Sequence, residues 1–332
     1  MNGAERAALE HANWIAYLTG VVRCTDSGRV HREGGTVTIL SDIPFDWFNQ
    51  VLVERPDASP ADLLTGLERG RAHAVGSVVR LREGMDDRFI PILTQAGLVA
   101  ADEATITPGM VAFPIDRETI ADAITPSHLP GFEIHRVMDA VGLDHHRKVV
   151  TEGFGSPPAV ALGTTCAELL DRPECVVYVG YADGVPVASG LGWRTGRVMG
   201  VYAIATVPTA RHRGVGAAMT ARIVTDGLAS DCDVAALQAS ELGRPIYERL
   251  GFLIDVRYVA YRFPRWPSRA HSARGGSDQL VEAHRRDGQL HADDLLPVRR
   301  EHRTTPSPGT DRRRSRRAPR GLDIDPPTGD TV

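Results

Sequence analysis

Residues 207–219 read VPTARHRGVGAAM, and this stretch decides how the rest of the chain is interpreted. A β-rich apolar run, residues 198–207 (VMGVYAIATV), precedes it, and residues 215–228 follow as a run compatible with a helix. A strand, a turn and a helix in this order leave unpartnered N–H groups at the helix N-terminus, where the helix dipole adds about half a positive charge. Gly214 and Gly216 let an anion approach the backbone, where a Cβ would block it. The stretch therefore predicts a turn that binds phosphate groups.

The pattern also distinguishes between phosphate-binding turns. The P-loop pattern requires a Gly-Lys pair, and the only lysine of the chain, Lys148, lies elsewhere. The dinucleotide pattern requires a third glycine where Met219 stands. The pattern [QR]-x-x-G-x-[GA] after a strand ending in Val-Pro does fit, and with it the sequence resembles the GNAT (Gcn5-related) N-acetyltransferases, whose turn holds the pyrophosphate of acetyl-CoA. By itself the hexapeptide is equally compatible with an ordinary glycine-rich turn.

The sequence after the turn extends the resemblance. Residues 234–240 (VAALQAS) predict a short buried strand, and residues 243–250 (GRPIYERL) predict a short helix with Pro245 in its first turn and Gly251 after its end. Residues 252–263 predict one or two further strands. This order is similar to the second half of a GNAT domain. The resemblance implies that Tyr247 protonates the departing CoA thiolate, whereas taken alone Tyr247 is equally well explained as a helix aromatic packed on the sheet.

The elements before the turn complete the domain. We predict a strand at residues 132–137, helices at 139–152 and 157–170, and a hairpin of strands 175–181 and 186–192 around Asp183-Gly184. The resemblance thus covers residues 131–263. It implies the GNAT fold, an α/β (α+β) architecture with a mixed, mostly antiparallel central sheet flanked by helices.

The resemblance also implies the site. Its cofactor-binding residues are a strand end, expected to pair with the pantetheine amides, and the turn that follows it: Ala205, Thr206, Val207, Arg211, His212, Arg213, Gly214, Val215, Gly216 and Ala217. An N–H near Ala205 is expected to polarise the thioester carbonyl. An amine then attacks directly, so no nucleophilic serine or cysteine is required. Members of the family often carry the general base on the strand before the turn, but residues 198–207 contain no carboxylate. Glu241, Tyr202 acting through water, or a residue from the first half of the chain remain as alternatives.

Residues 1–125 carry a fainter copy of the same order of elements. We predict strands at 36–40, 48–53, 77–81 and 110–115, and helices at 59–73 and 89–96. Residues 57–59 (Asp-Ala-Ser) stand where a pyrophosphate turn would be, and the second predicted helix has no tyrosine. We interpret this segment as a degenerate GNAT-like half that packs on the active half and borders its substrate cleft. The alternative is an unrelated α+β domain.

Residues 264–332 differ in composition from the rest. They are rich in Arg, Pro, Gly, Ser and Asp, and we predict a disordered tail because such a segment buries too little apolar surface to offset its ordering entropy. The run RRRSRRAPR at 312–320 would suit nucleic acid or a membrane surface, but acidic residues nearby dilute its charge. We therefore predict no nucleic-acid partner.

The cysteines and the hydropathy indicate the compartment. Cys24, Cys166, Cys175 and Cys232 show no zinc-ligand spacing, so we predict no metal and four free thiols in a reducing cytoplasm. No apolar run is long enough to cross a membrane, and no signal peptide is apparent.

These observations predict an N-acetyltransferase that moves an acetyl group from acetyl-CoA to an amine. The alternative from another class is a non-catalytic acyl-CoA-binding regulatory module, which would keep the turn without a productive acceptor site. The acceptor is not specified by the sequence: a small amine, an amino acid, an aminoglycoside and a protein N-terminus all fit. The oligomeric state is likewise not specified.

Overall fold

The computed structural model describes residues 1–43, 45–73, 75–101, 106–126 and 129–263. Its strands are β1 (Arg29–Glu33), β2 (Thr36–Leu40), β3 (Gln50–Val53), β4 (Val78–Arg82), β5 (Val99–Ala100), β6 (Thr107–Ala112), β7 (Phe132–Arg136), β8 (Cys175–Ala182), β9 (Val185–Thr195), β10 (Val198–Thr206), β11 (Val234–Gln238) and β12 (Leu253–Arg262). Its helices are α1 (Gly3–Val22), α2 (Pro60–Ala72), α3 (Ile90–Gln95), α4 (Arg117–Ala123), α5 (Ala140–Phe154), α6 (Pro158–Thr164), α7 (Val215–Ala229) and α8 (Arg244–Arg249).

All twelve strands join in one sheet, in the order β1-β2-β3-β4-β12-β6-β11-β10-β9-β8-β7, with β5 pairing β12 beside this path. The pairs β3–β4 and β10–β11 are parallel, and the other pairs are antiparallel. Helices pack on both faces of the sheet. The predicted architecture, a mixed and mostly antiparallel sheet flanked by helices, is confirmed.

In the centre of the sheet, strands from residues 1–125 alternate with strands from residues 131–263. β12 lies between β4 and β6, and β6 lies between β12 and β11. The order β1-β2-β3-β4 on one side repeats the pairing directions of β8-β9-β10-β11 on the other. Residues 131–263 therefore cannot complete this sheet alone, because both neighbours of β12 on the main path of the sheet come from residues 1–125. The division into two GNAT-like halves stays a prediction.

The helix α1 was not predicted from the sequence, yet it supplies much of the core. Asn2 and Glu5 form a capping box that starts it. Trp14 is fully buried, and its ring lies 5.4 Å from that of Trp47 and 4.4 Å from that of Tyr258. Polar residues of the helix (Glu10, His11 and Asn13) are also buried and break the apolar stripe that would reveal it. They are satisfied by hydrogen bonds to distant strands, which only the folded chain supplies.

Local signals predicted other elements well. Asp183 and Gly184 have φ of +50° and +78°, so the predicted hairpin turn is confirmed. Asp139 caps the start of α5, and Gly155 ends it with φ +61°. Ser59 caps α2, where Asp62 returns the hydrogen bond.

Three expectations are wrong. The single helix predicted over 157–170 is two pieces, because α6 ends at Thr164 and a short turn of 3-10 helix occupies Ala167–Leu169. The strand predicted at 110–115 is β6, which begins at Thr107 and ends at Ala112, before a proline that cannot donate a ladder hydrogen bond. Cys24 and Cys166 form a disulfide with Cα atoms 5.4 Å apart, so only Cys175 and Cys232 are free thiols.

The predicted tail, residues 264–332, lies outside the described residues. Among the described helices, none combines the length and the hydropathy that crossing a bilayer requires. Across the same part of the chain, no group of three or more His, Cys, Asp or Glu side chains is arranged to hold a metal ion.

Candidate active site

The turn before α7 presents open backbone donors to a cleft. Gly214 is the N-cap of α7 with φ +83°, and no side chain caps this helix. Its first-turn residues, Val215, Gly216 and Ala217, line a cavity of about 1140 Å³. A Cβ built on Gly216 would meet only Ile246 at 3.6 Å and atoms at 4.0 Å, so the glycine keeps space open that the protein itself does not need. Unpartnered N–H groups, the helix dipole and an accessible backbone make this an anion-binding position.

Arg211 holds the turn in position and also gives it a positive charge. Its Nη2 donates to the carbonyl of Gly153 at 2.8 Å, and its Nε donates to the carbonyl of Thr206 at 3.2 Å. These bonds tie the turn to the end of β10 and to α5. A guanidinium has five N–H donors, so others are left for a ligand phosphate. Arg211 therefore orients the turn through the protein backbone, a role the sequence did not indicate.

Strands β10 and β11 separate beside this turn. Their parallel pairing stops at Gly200 opposite Ala236, although β10 continues to Thr206. A bulge between Tyr202 and Ala205 redirects β10, with Ala203 at φ +51°. Its other edge pairs β9 as far as Thr206. The edge that faces β11 is thus open to hydrogen-bond an extended ligand.

Tyr247 faces the same cleft from α8. The side chain is 9% exposed, and its ring lies 6.1 Å from that of Phe252 in an edge-on contact. Burial raises the pKa of Tyr247 to about 12, so its hydroxyl is protonated at neutral pH. A protonated hydroxyl in this cleft suits a general acid.

Most of the predicted site residues meet in this cleft. Those that line it are Ala205, Thr206, Arg211, His212, Gly214, Val215, Gly216, Ala217 and Tyr247. Arg213 is exposed and is not among the lining residues. Val207 does not line the cleft either. Its N–H donates to the Val187 carbonyl at 3.0 Å, and its carbonyl accepts from the Ala210 N–H at 3.0 Å. The backbone of Val207 is therefore already paired within the protein.

The structure separates the alternatives for the general base. Glu241 lines the cleft and is exposed. The hydroxyl of Tyr202 donates to Asn13 Oδ1 at 2.6 Å, and burial raises the pKa of Tyr202 well above its usual value, which disfavours it as a base. Glu10 is buried, accepts from the Tyr258 hydroxyl at 2.6 Å, and does not line the cleft, although burial raises its pKa to about 7.

One wall of the cleft comes from residues 1–125, as expected from the sequence, but the residues that form it were not identified. Tyr17 of α1, the segment Asp46–Phe48, and Arg80 of β4 line it. Tyr17 stacks on Tyr202 with ring centroids 3.7 Å apart. No local motif marks these residues, because they come together only when β3 pairs with β4 and α1 packs on the sheet. Predicting α1 would have been the one way to locate part of this wall from the sequence.

Comparison with known proteins agrees with this geometry. Residues 133–238 match the family model described as an acetyltransferase (GNAT) domain, which spans β7 to β11 and includes the turn but stops before Tyr247. No curated protein is similar enough in sequence to match.

Two solved structures share the fold. A GCN5-related N-acetyltransferase from Kribbella flavida is 20% identical, covers 77% of this chain and 96% of its own length, and has a TM-score of 0.57. A functionally unknown conserved protein from Staphylococcus epidermidis ATCC 12228 is 13% identical, covers 70% and 93%, and has a TM-score of 0.50. These similarities concern the fold, and they extend over most of this chain.

Proposed function

We propose that this chain is an N-acetyltransferase that transfers an acetyl group from acetyl-CoA to an amine by direct attack. The observation that carries the proposal is the uncapped N-terminus of α7 beside the open edge of β10, with Tyr247 across the gap. The match of residues 133–238 to an acetyltransferase (GNAT) domain supports acyl transfer as the reaction.

Each part of the cleft has a chemical task in this proposal. The first-turn N–H groups of α7 bind the pyrophosphate, assisted by Arg211. The open edge of β10 at Ala205 and Thr206 pairs with the pantetheine amides, with the Thr206 carbonyl shared between the ligand and Arg211 Nε, and an N–H there polarises the thioester carbonyl. Val207 takes no part, because its backbone groups are paired within the protein.

The chemical step then needs no acyl-enzyme. The amine lone pair attacks the thioester carbon, a C–N bond forms, and the C–S bond breaks. The Tyr247 hydroxyl gives its proton to the departing thiolate, so CoA leaves as the thiol. The proton released by the amine passes to a base, for which Glu241 is the exposed carboxylate closest in sequence to the β11 end of the cleft.

We further propose that residues 1–125 are a degenerate half without a cofactor site. The start of α2 is where this half would bind a pyrophosphate, but Ser59 and Asp62 cap it, and Asp62 is held ionised because the hydrogen bond from the Ser59 N–H lowers its pKa. A filled cap and a negative charge exclude a second anion. The half instead supplies a wall of the acceptor cleft.

The stoichiometry of binding tests this division. We expect calorimetry to give one equivalent of acetyl-CoA per chain, with all binding heat lost when the α7 turn is disabled. Two equivalents would show that the start of α2 also binds. A Ser59→Ala variant serves as the control, since it weakens the α2 cap without touching the α7 turn and should still bind one equivalent.

The activity test is CoA thiol release from acetyl-CoA in the presence of a panel of amines. Amine-dependent release supports the enzyme. Tight binding of acetyl-CoA without release for any amine would instead favour the non-catalytic acyl-CoA-binding module. A cytoplasmic location stays a prediction. Four free thiols no longer support it, because Cys24 and Cys166 form a disulfide.

A further inference from the structure

The cleft extends away from the proposed cofactor site along one edge of the sheet. Successive strands bring together at this edge the end of β11, the start of β6, the end of β12 and the start of β4. The far end is lined by Asp46, Trp47, Arg80 and Arg262. β4 lies three strands from β11, which is about 14 Å between backbones at a strand spacing of ~4.8 Å.

Arg80 is buried without adequate partners. The residue is 3% exposed, and its two contacts are long: Nη2 lies 3.5 Å from Asp46 Oδ1, and Nη1 lies 3.4 Å from Thr107 Oγ1. Its Nε has no hydrogen-bond partner among the described residues. Burying a guanidinium whose N–H donors lack acceptors costs free energy. A group of this kind in the wall of a cleft therefore indicates that a ligand supplies the acceptor.

The charges at this end are also unbalanced. Asp46 is shared, because its Oδ2 accepts from Arg262 Nη2 at 2.6 Å while Oδ1 faces Arg80. Among the residues that the structure describes here, two guanidinium groups thus face one carboxylate. Burial lowers the pKa of Arg80, Asp46 opposes this, and the neighbouring Arg262 lowers it further. A second anion here would relieve both the desolvation and the repulsion.

An aromatic ring fixes the position of the unsatisfied group. The Arg80 guanidinium carbon lies 5.1 Å from the centroid of the Trp47 ring. This cation–π contact restricts the position of the guanidinium. A planar fork held in place recognises a carboxylate through two parallel hydrogen bonds.

We propose that this end of the cleft binds the carboxylate of the acceptor, with Arg80 as the residue that selects it. The acceptor is then an extended molecule that carries its amine at one end and a carboxylate at the other, such as a short peptide or an ω-amino acid. This inference rests on the proposed acetyl transfer, because the amine must reach the gap between β10 and β11.

Binding to the wild-type protein gives the first test. Calorimetry is carried out with CoA bound, so that no transfer occurs, and compares triglycine with triglycine amide and ε-aminocaproate with hexylamine. We expect each carboxylate to bind at least tenfold more tightly than its partner without a carboxylate, since that partner leaves Arg80 unpaired. Equal affinities, or no binding of either carboxylate, would overturn the proposal. Tighter binding of aminohexyl phosphate than of ε-aminocaproate would overturn the choice of carboxylate.

A substitution locates the effect. Arg80→Met keeps most of the side-chain volume and removes the charge, so the preference for triglycine over its amide should disappear while the affinity for the amide is kept. Arg69→Met is the control: it removes an exposed arginine paired with Glu33 outside the cleft, and should keep the full preference. A preference that survives in folded Arg80→Met excludes this residue, and if that variant does not fold, the wild-type comparison decides.

The outcomes also separate this inference from the proposed function. Amine-dependent CoA release without any preference for carboxylates would overturn the carboxylate site and leave the acetyltransferase standing. Absence of acetyl-CoA binding would overturn the proposed acetyltransferase activity, whether or not the carboxylate probes bind.

Discussion

Replacing Tyr247 with phenylalanine is expected to lower kcat on the order of 10²-fold, the lower end of what general acid–base groups contribute. The substitution removes only the hydroxyl, and the edge-on contact with Phe252 is kept. The acetyl-CoA dissociation constant should stay within a few-fold, because Tyr247 acts on the leaving thiolate rather than on the bound cofactor. Steady-state kinetics with an accepted amine and calorimetry with acetyl-CoA measure the two quantities separately.

A matched control distinguishes the chemistry from the loss of any tyrosine hydroxyl. Tyr181 bonds His145 at 2.9 Å and does not line the cleft, so Tyr181→Phe should leave kcat unchanged. Because the pKa of Tyr247 is raised to about 12, its ionisation should not reduce the wild-type rate at neutral or mildly alkaline pH. An unchanged kcat in Tyr247→Phe would return this residue to a packing role.

Replacing Gly216 with valine is expected to weaken acetyl-CoA binding at least tenfold, about 1.4 kcal/mol. A side chain there covers the first-turn N–H groups of α7, which the pyrophosphate is proposed to use. The protein has room for the new Cβ, since its nearest neighbour would be Ile246 at 3.6 Å. Gly214→Val should weaken binding by at least as much, but it also forces valine to φ +83°, so Gly216 is the cleaner position.

Thr225→Val provides the control for this experiment. It places the same β-branched residue in α7, away from the turn and from the cleft, and should bind acetyl-CoA as the wild type does. Wild-type affinity in a folded Gly216→Val protein would mean that the start of α7 is not the cofactor site.

Much of residues 131–263 was predictable because the signals there are local. The strand, turn and helix around residues 198–228 follow from a β-rich apolar run and from glycines at Gly214 and Gly216, where a Cβ would matter. The hairpin at Asp183-Gly184 and the cap at Asp139 are equally local. The bulge at Ala203 was not predictable, because alanine carries no preference for positive φ.

The acceptor end of the cleft was hidden from the sequence. The helix α1 escaped prediction because Glu10, His11 and Asn13 interrupt its apolar face, and their partners lie on distant strands. Cys24 and Cys166 are 142 residues apart, so no spacing rule could join them. Arg80 and Asp46 became neighbours only through the parallel pairing of β3 with β4, and Arg262 joins them through the pairing of β4 with β12.

Local sequence by itself therefore determined the individual strands and helices, the glycine-containing turn that we propose binds phosphate and the position of Tyr247 after it, since each depends on residues a few positions apart, whereas the mixed sheet was implied by the resemblance to the GNAT family. The tertiary structure alone decided the exchange of β6 and β12 and the wall that faces the acceptor. The physical reason lies in the backbone. The hydrogen bonds between strands are made by main-chain groups, which every residue except proline provides in full. The sequence of a strand therefore does not specify its neighbour in the sheet, which is determined by how the side chains on whole faces pack.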